Sequence, residues 1–161
     1  MKKMIIASFL MMSLAVSSAF ALEGLKIGVG YGVGSNVAME ASTIKVPLDF
    51  DFGLRVEPEI GITERLKTLA VGGYYNLMEI EGIEMSAGGR LGFTLGDYSS
   101  DPTGISLQAL VGAEHYLVKD KLSISLQAGL EIATGDLNSK AIYGDNGYGT
   151  VGLITLRYFH F

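Results

Sequence analysis

The sequence predicts an all-β fold, a single eight-stranded antiparallel up-and-down transmembrane β-barrel. Three observations predict it. Apolar residues recur at every second position through most of the chain. The positions between them hold mainly Gly, Ser, Thr and Gln, with one or two charges per strand. After the first 21 residues no stretch is apolar for the roughly 20 residues that a membrane helix needs.

The chain begins with a segment of a different kind. Lys2 and Lys3 precede an apolar run from Met4 to Val16, and Ala19-Phe20-Ala21 is an A-x-A cleavage signal. Residues 1–21 are therefore expected to be a signal peptide, and residues 22–161 an outer-membrane β-barrel domain. Without Lys2 and Lys3, ten basic side chains face 17 acidic ones, and the net charge moves from -5 to -7. An acidic balance with no basic cluster argues against nucleic acid as a partner. The chain has no cysteine, which excludes a disulfide framework and a thiolate metal site. All 22 glycines lie after the leader, and there are only 3 prolines.

The strands follow in order. Leu25, Ile27, Val29, Tyr31 and Val33 form an apolar face opposite Lys26, Gly28, Gly30, Gly32 and Gly34. Val46, Leu48 and Phe50 alternate with Pro47, Asp49 and Asp51, and Leu54, Val56, Ile60 and Ile62 with Arg55, Glu57, Glu59 and Gly61. The fourth apolar face holds Leu69, Val71, Tyr75 and Leu77. The fifth runs from Ile83 to Leu95 opposite Glu84, Ser86, Gly88, Arg90, Gly92 and Thr94. Ile105 to Ala113 opposes Ser106, Gln108, Gly112 and Glu114, and Leu122 to Ile132 opposes Ser123, Ser125, Gln127, Gly129 and Glu131. A last strand runs from about Gly149 to Phe161, where two apolar faces compete. Arg157 is expected to point inward there, since an Arg facing lipid costs about 2–4 kcal/mol at the midplane.

An even strand number requires a turn at Asp51-Phe52-Gly53, with further short turns near 78–82 and 118–121. The longer loops then fall at 35–43, 63–67, 96–104 and 134–149. Pro58 lacks a ladder donor, so a bulge or a missing bond is expected beside it.

Small residues with a nearly balanced set of charges suit the crowded lumen of a narrow barrel, and the large aliphatics opposite suit lipid. Parity places Arg55, Glu57, Glu59, Arg90, Glu114, Glu131 and Arg157 inside, with Lys26, Lys45, Asp49 and Glu84 on the same face. The seven are expected to form an ion-pair network that plugs the lumen, with a narrow solute channel as the alternative. His115 and His160 fall at strand ends on the short-turn side, neither beside a matching Ser. No enzymatic activity, cofactor or metal is expected, a lipid-modifying barrel being the less favoured reading.

The leader, the glycine-alternating first strand and the closing run Arg157-Tyr158-Phe159-His160-Phe161 resemble small outer-membrane barrels of the OmpA transmembrane-domain type. Leu54 to Gly61 and Val111 to Tyr116 are similar to strands of that superfamily. The resemblance implies an outer-membrane location and contact with outer-membrane lipid. It also implies that Phe161 is an assembly signal read by the barrel-assembly machinery. It implies architecture rather than activity. A structural or surface-interaction role is the expectation, with loop 134–149 and its Tyr143 and Tyr148 as the place for any surface ligand.

Overall fold

The computed structural model describes residues 24–35, 40–62, 66–96, 103–135 and 148–160. The expected signal peptide, Tyr143 and Phe161 lie outside the described residues. Eight antiparallel strands close into a barrel. They are β1 (Leu25–Ser35), β2 in two segments (Glu40–Lys45 and Leu48–Phe50), β3 (Leu54–Ile62), β4 (Leu66–Ile80), β5 (Ile83–Gly96), β6 (Gly104–Val118), β7 (Leu122–Ala133) and β8 (Tyr148–Phe159). Each pairs with its neighbour, and β1 pairs with β8 from Gly28↔Phe159 to Ser35↔Gly152, so no edge remains.

The period-two pattern sets the facing of every strand. In β8 the burial alternates strictly, with Val151, Leu153, Thr155, Arg157 and Phe159 inward and Ile154, Leu156 and Tyr158 outward. Arg157 points inward at 1% exposure. Ile27 is an exception in β1: it has outward parity, yet it is covered near the turn end, where His160 N–H donates to its carbonyl.

The stagger of the barrel follows from the register. A walk along the hydrogen-bonded rows passes Glu57, Gly72, Arg90, Gln108 and Glu131 and reaches Gly149 on β8. The same row passes through Gly28, whose N–H donates to Pro47, and Gly28 pairs with Phe159. Residues 149 and 159 differ by ten, and ten residues of stagger over eight strands imply a tilt of about 40° and a radius of about 8 Å. Such a barrel is filled by its own side chains.

Pro47 in β2 and Pro58 in the facing strand β3 divide β2 without shifting its register. Lys45 faces Glu59 and Leu48 faces Val56 in one unbroken register, and β3 pairs with β4 continuously through Pro58↔Val71. Val46 N–H donates to the Pro58 carbonyl at 2.9 Å, but Pro58 has no N–H to return the bond. Gly28 N–H donates to the Pro47 carbonyl, and again nothing returns. Each proline therefore removes one ladder bond, and there is no bulge at Pro58.

The irregularities sit at the turn end instead. Register shifts between Asn76 and Met78 and between Tyr116 and Val118 mark two bulges. Each extra residue reverses the parity, so Leu77 and Met78 are both exposed, as are Leu117 and Val118. This extends β4 to Ile80 and shortens the expected 78–82 turn to Glu81-Gly82, whose φ values of 51° and 80° suit a tight two-residue hairpin. The other short turns fall where expected: Gly53 N–H donates to Phe50, and Lys121 N–H to Val118. At the loop end the strands run further than expected. β2 starts at Glu40, β4 at Leu66 and β8 at Tyr148, so Tyr148 is an outward strand residue rather than a loop contact.

Candidate functional site

The lumen is where charge meets burial. The first strand makes the room: Gly28, Gly30, Gly32 and Gly34 face inward with no side chain. A Cβ on Gly30 would lie 3.4 Å from both Lys45 Cβ and Arg157 Cγ, and one on Gly32 would lie 2.8 Å from Lys45 Cε. The long side chains of Lys45 and Arg157 thus occupy the volume that β1 leaves open.

From there a chain of alternating charge runs along the barrel. Arg55 binds Asp49, with Nη2 to Oδ2 at 2.9 Å, and also binds Glu114, which accepts a hydrogen bond from Ser123. Its guanidinium lies 5.6 Å from the centre of the Phe159 ring. Arg157 reaches Glu114 at 3.4 Å and donates from Nε to Glu57 at 2.6 Å and from Nη1 to Ser125 at 2.6 Å. Lys45 bridges Glu57 at 3.5 Å and Glu59 at 3.1 Å. Arg90 donates to Glu59 at 3.0 Å and to the Gln108 amide oxygen at 3.2 Å, and Gln108 in turn donates to Glu131 at 2.9 Å.

Lys45, Arg55, Arg90 and Arg157 therefore stand against Asp49, Glu57, Glu59, Glu114 and Glu131, all but Asp49 buried. Near-neutral pairing is what a low-dielectric interior demands, because an ion left unpaired there costs several kcal/mol.

All seven residues expected in the lumen point into it, and the chain connects them. Glu131 joins through Gln108. Lys45 is the central link and Asp49 an end of the chain; parity put both on this face, but not in the network. Gln108, Ser123 and Ser125 were outside the expected network too, because a neutral side chain on a small-residue face carries no charge signal. Beside the polar chain, Tyr74, Leu110, Val151 and Leu153 form an apolar patch inside the barrel.

The turn end of the lumen opens into a cavity of about 190 Å³ lined by Lys26, Asp49, Asp51, Asn76, Glu84 and Tyr116, among others. Asn76 donates to Glu84 at 3.1 Å. Lys26 leaves the lumen and pairs with Asp120 of the β6–β7 turn at 2.9 Å. That hydrogen bond and charge hold the Asp120 carboxyl below the usual range. His115 is exposed at the same end, its Nδ1 3.1 Å from the Gly82 carbonyl.

No protein-family model matches the chain, and no curated protein matches it either. Among solved structures, the chain is similar to the solution NMR structure of a de novo designed protein, TMB2.3, a transmembrane β-barrel. The TM-score is 0.55 at 13% identity, over 87% of this chain and 98% of the other. At that identity the likeness speaks for the fold, the closed eight-stranded antiparallel barrel.

Proposed function

We propose that this chain is an outer-membrane barrel of the OmpA transmembrane-domain type. In this reading it is exported through a cleaved signal peptide and serves a structural or surface-interaction role with its lumen closed. The observation that carries the reading is the continuous chain of ion pairs and hydrogen bonds from Asp49 to Glu131 inside a barrel about 8 Å in radius. A soluble barrel of this size turns charged side chains to water and apolar ones to its core. Here the order is inverted. Leu69, Val71, Leu107, Val111, Leu126 and Leu130 lie on the outer surface, and the guanidinium groups lie inside.

The partners that follow are outer-membrane lipid around the apolar face and the barrel-assembly machinery reading Phe161. Any surface ligand would meet the loop between β7 and β8. No catalytic role is proposed for His115 or His160.

The test has two parts. Envelope fractionation, intact mass and gels of heated and unheated samples report location and folding; a mature chain starting near Leu22, extracted only by detergent, is the expected result. Recovery as a soluble periplasmic protein would overturn the membrane reading. Planar-bilayer recordings report the lumen: the closed state predicts no steady conductance, whereas regular unitary steps would favour the narrow channel. Deleting Phe161 should reduce the folded fraction more than any loop substitution does, and equal folding would remove the assembly argument.

A further inference from the structure

The bulge between Asn76 and Met78 does more than shorten a turn. Without the extra residue Met78 would face Glu84; with it, Glu79 does. On its other side Glu84 is opposite Glu114. Three neighbouring strands, β4, β5 and β6, therefore bring one glutamate each to a single row at the turn end of the barrel. Like charges directly opposite one another across a strand pair are destabilising.

Among the described residues, the nearby cations are engaged elsewhere. Glu114 is held by Arg55, by Arg157 and by the Ser123 hydroxyl. Arg55 is also committed to Asp49, and Lys26, which lines the turn-end cavity, pairs with Asp120. Glu84 has a neutral donor instead, the Asn76 amide at 3.1 Å. It is half-buried in the cavity of about 190 Å³, where Asp49, Asp51 and the neutral phenol of Tyr116 also stand. Partial burial opposes a charge on Glu84, and so do the carboxylates of Glu114, Asp49 and Glu79, whereas Arg55 favours it.

We propose that Glu84 is a proton switch for the turn end of the barrel. Ionised, it faces a carboxylate on either side, and the ends of β4, β5 and β6 repel one another. Protonated, its O–H donates to Glu79 or Glu114 and joins neighbouring strands across the row. A proton held more tightly by the folded chain than by the unfolded one adds stability as pH falls, and the gain is complete below about 4.3, the ordinary Glu value. The sign is opposite to that of the lumen ion pairs, which lose their carboxylate charge in acid. The switch belongs to the barrel itself and works wherever the barrel resides.

Glu84→Gln fixes the neutral state while keeping the size of the side chain and a donor. In detergent at about pH 7.5 it should raise the urea midpoint above that of the parent, and the two midpoints should converge toward about pH 5. Whatever His115 and His160 contribute is common to both proteins, so the difference between the curves isolates Glu84. Glu79→Gln should raise the midpoint less, because it relieves one contact of the row rather than two. The Glu84 carboxyl carbon, followed by NMR on the folded parent barrel, reads the proton independently of any variant. It should take up its proton above about pH 5, where an ordinary Glu is mostly ionised. A Glu84→Gln midpoint equal to or below the parent's at about pH 7.5 would overturn the switch. A parent carboxyl signal still fully ionised at about pH 5 would overturn it as well.

Discussion

Two ion pairs in this barrel have nearly the same length and very different surroundings. Arg90 meets Glu59 at 3.0 Å inside the lumen, with side-chain exposures of 4% and 1%. Lys26 meets Asp120 at 2.9 Å on the rim, with exposures of 40% and 56%. Distance does not separate them; water does. On the rim, either partner can return to solvent, so the pair contributes little and salt screens it. Inside, neither can leave, so each ion depends on the other. Polar contacts in this molecule should be ranked by what each group would face after losing its partner.

The largest effect should come from Arg90→Ala. It leaves Glu59 with Lys45 alone and removes a donor to Gln108, and the expected loss is about 3–5 kcal/mol, read as a lowered urea midpoint in detergent or vesicles. A nearly unchanged midpoint would mean that the interior is wet enough to solvate the orphan. Removing both charges in Arg90→Met with Glu59→Leu should recover much of that loss, since well-packed apolar side chains often match a buried pair. A double variant as weak as the single one would show that Lys45 now lacks a partner it needs.

Next in size is a contrast between two glycines of β1. A Cβ on Gly28 would come within 2.6 Å of the Tyr158 carbonyl, a backbone atom of the closing strand. Gly28→Ala should therefore destabilise the barrel by about 1–3 kcal/mol through forced backbone displacement. Gly32→Ala meets first the flexible end of Lys45, at 2.8 Å from Cε, and should cost less. Equal losses at the two sites would mean that Lys45 is as rigid as the backbone, which would strengthen the view of a closely packed lumen. The heat-shift gel and the urea midpoint both report it.

The smallest effect should be at the rim. Lys26→Ala should leave the urea midpoint unchanged at neutral pH within the error of the measurement. Because the Asp120 carboxyl is held below its usual range in the folded protein, any contribution is present above the ordinary Asp pKa, about 3.9, and is lost as pH falls through the lower folded value. A large loss on Lys26→Ala at pH 7 would break the comparison.

Period-two alternation made the facing of nearly every strand legible, and with it the inward placement of Arg55, Arg90 and Arg157. The partners were not legible, because they depend on stagger. Glu57, Arg90, Gln108 and Glu131 come from four strands and share one hydrogen-bonded row only because of the register. Lys45 was visible as an inward charge, but its bridge between Glu57 and Glu59 arises from the pairing of β2 with β3 across an interruption made by two prolines. The bulges at Leu77 and Leu117 were hidden for a different reason. Adjacent apolar residues next to a turn read as the end of a strand, and only the added residue keeps both outside. Pro58 removes a ladder bond, as its missing N–H requires.

The seam between β1 and β8 also governs how such a molecule can be made. Gly30 faces Arg157 across it, so the contact that completes the cylinder joins the first and last parts of the folded chain. Until the final strand arrives, the outermost strands present bare backbone donors and acceptors along with a row of greasy side chains, a combination that invites wrong pairing with other chains. Closure between segments so far apart in sequence is slow, because the entropy of the long intervening loop must be lost before any bond repays it. A chain of this design is at its most vulnerable while the cylinder is still open, until β8 pairs with β1.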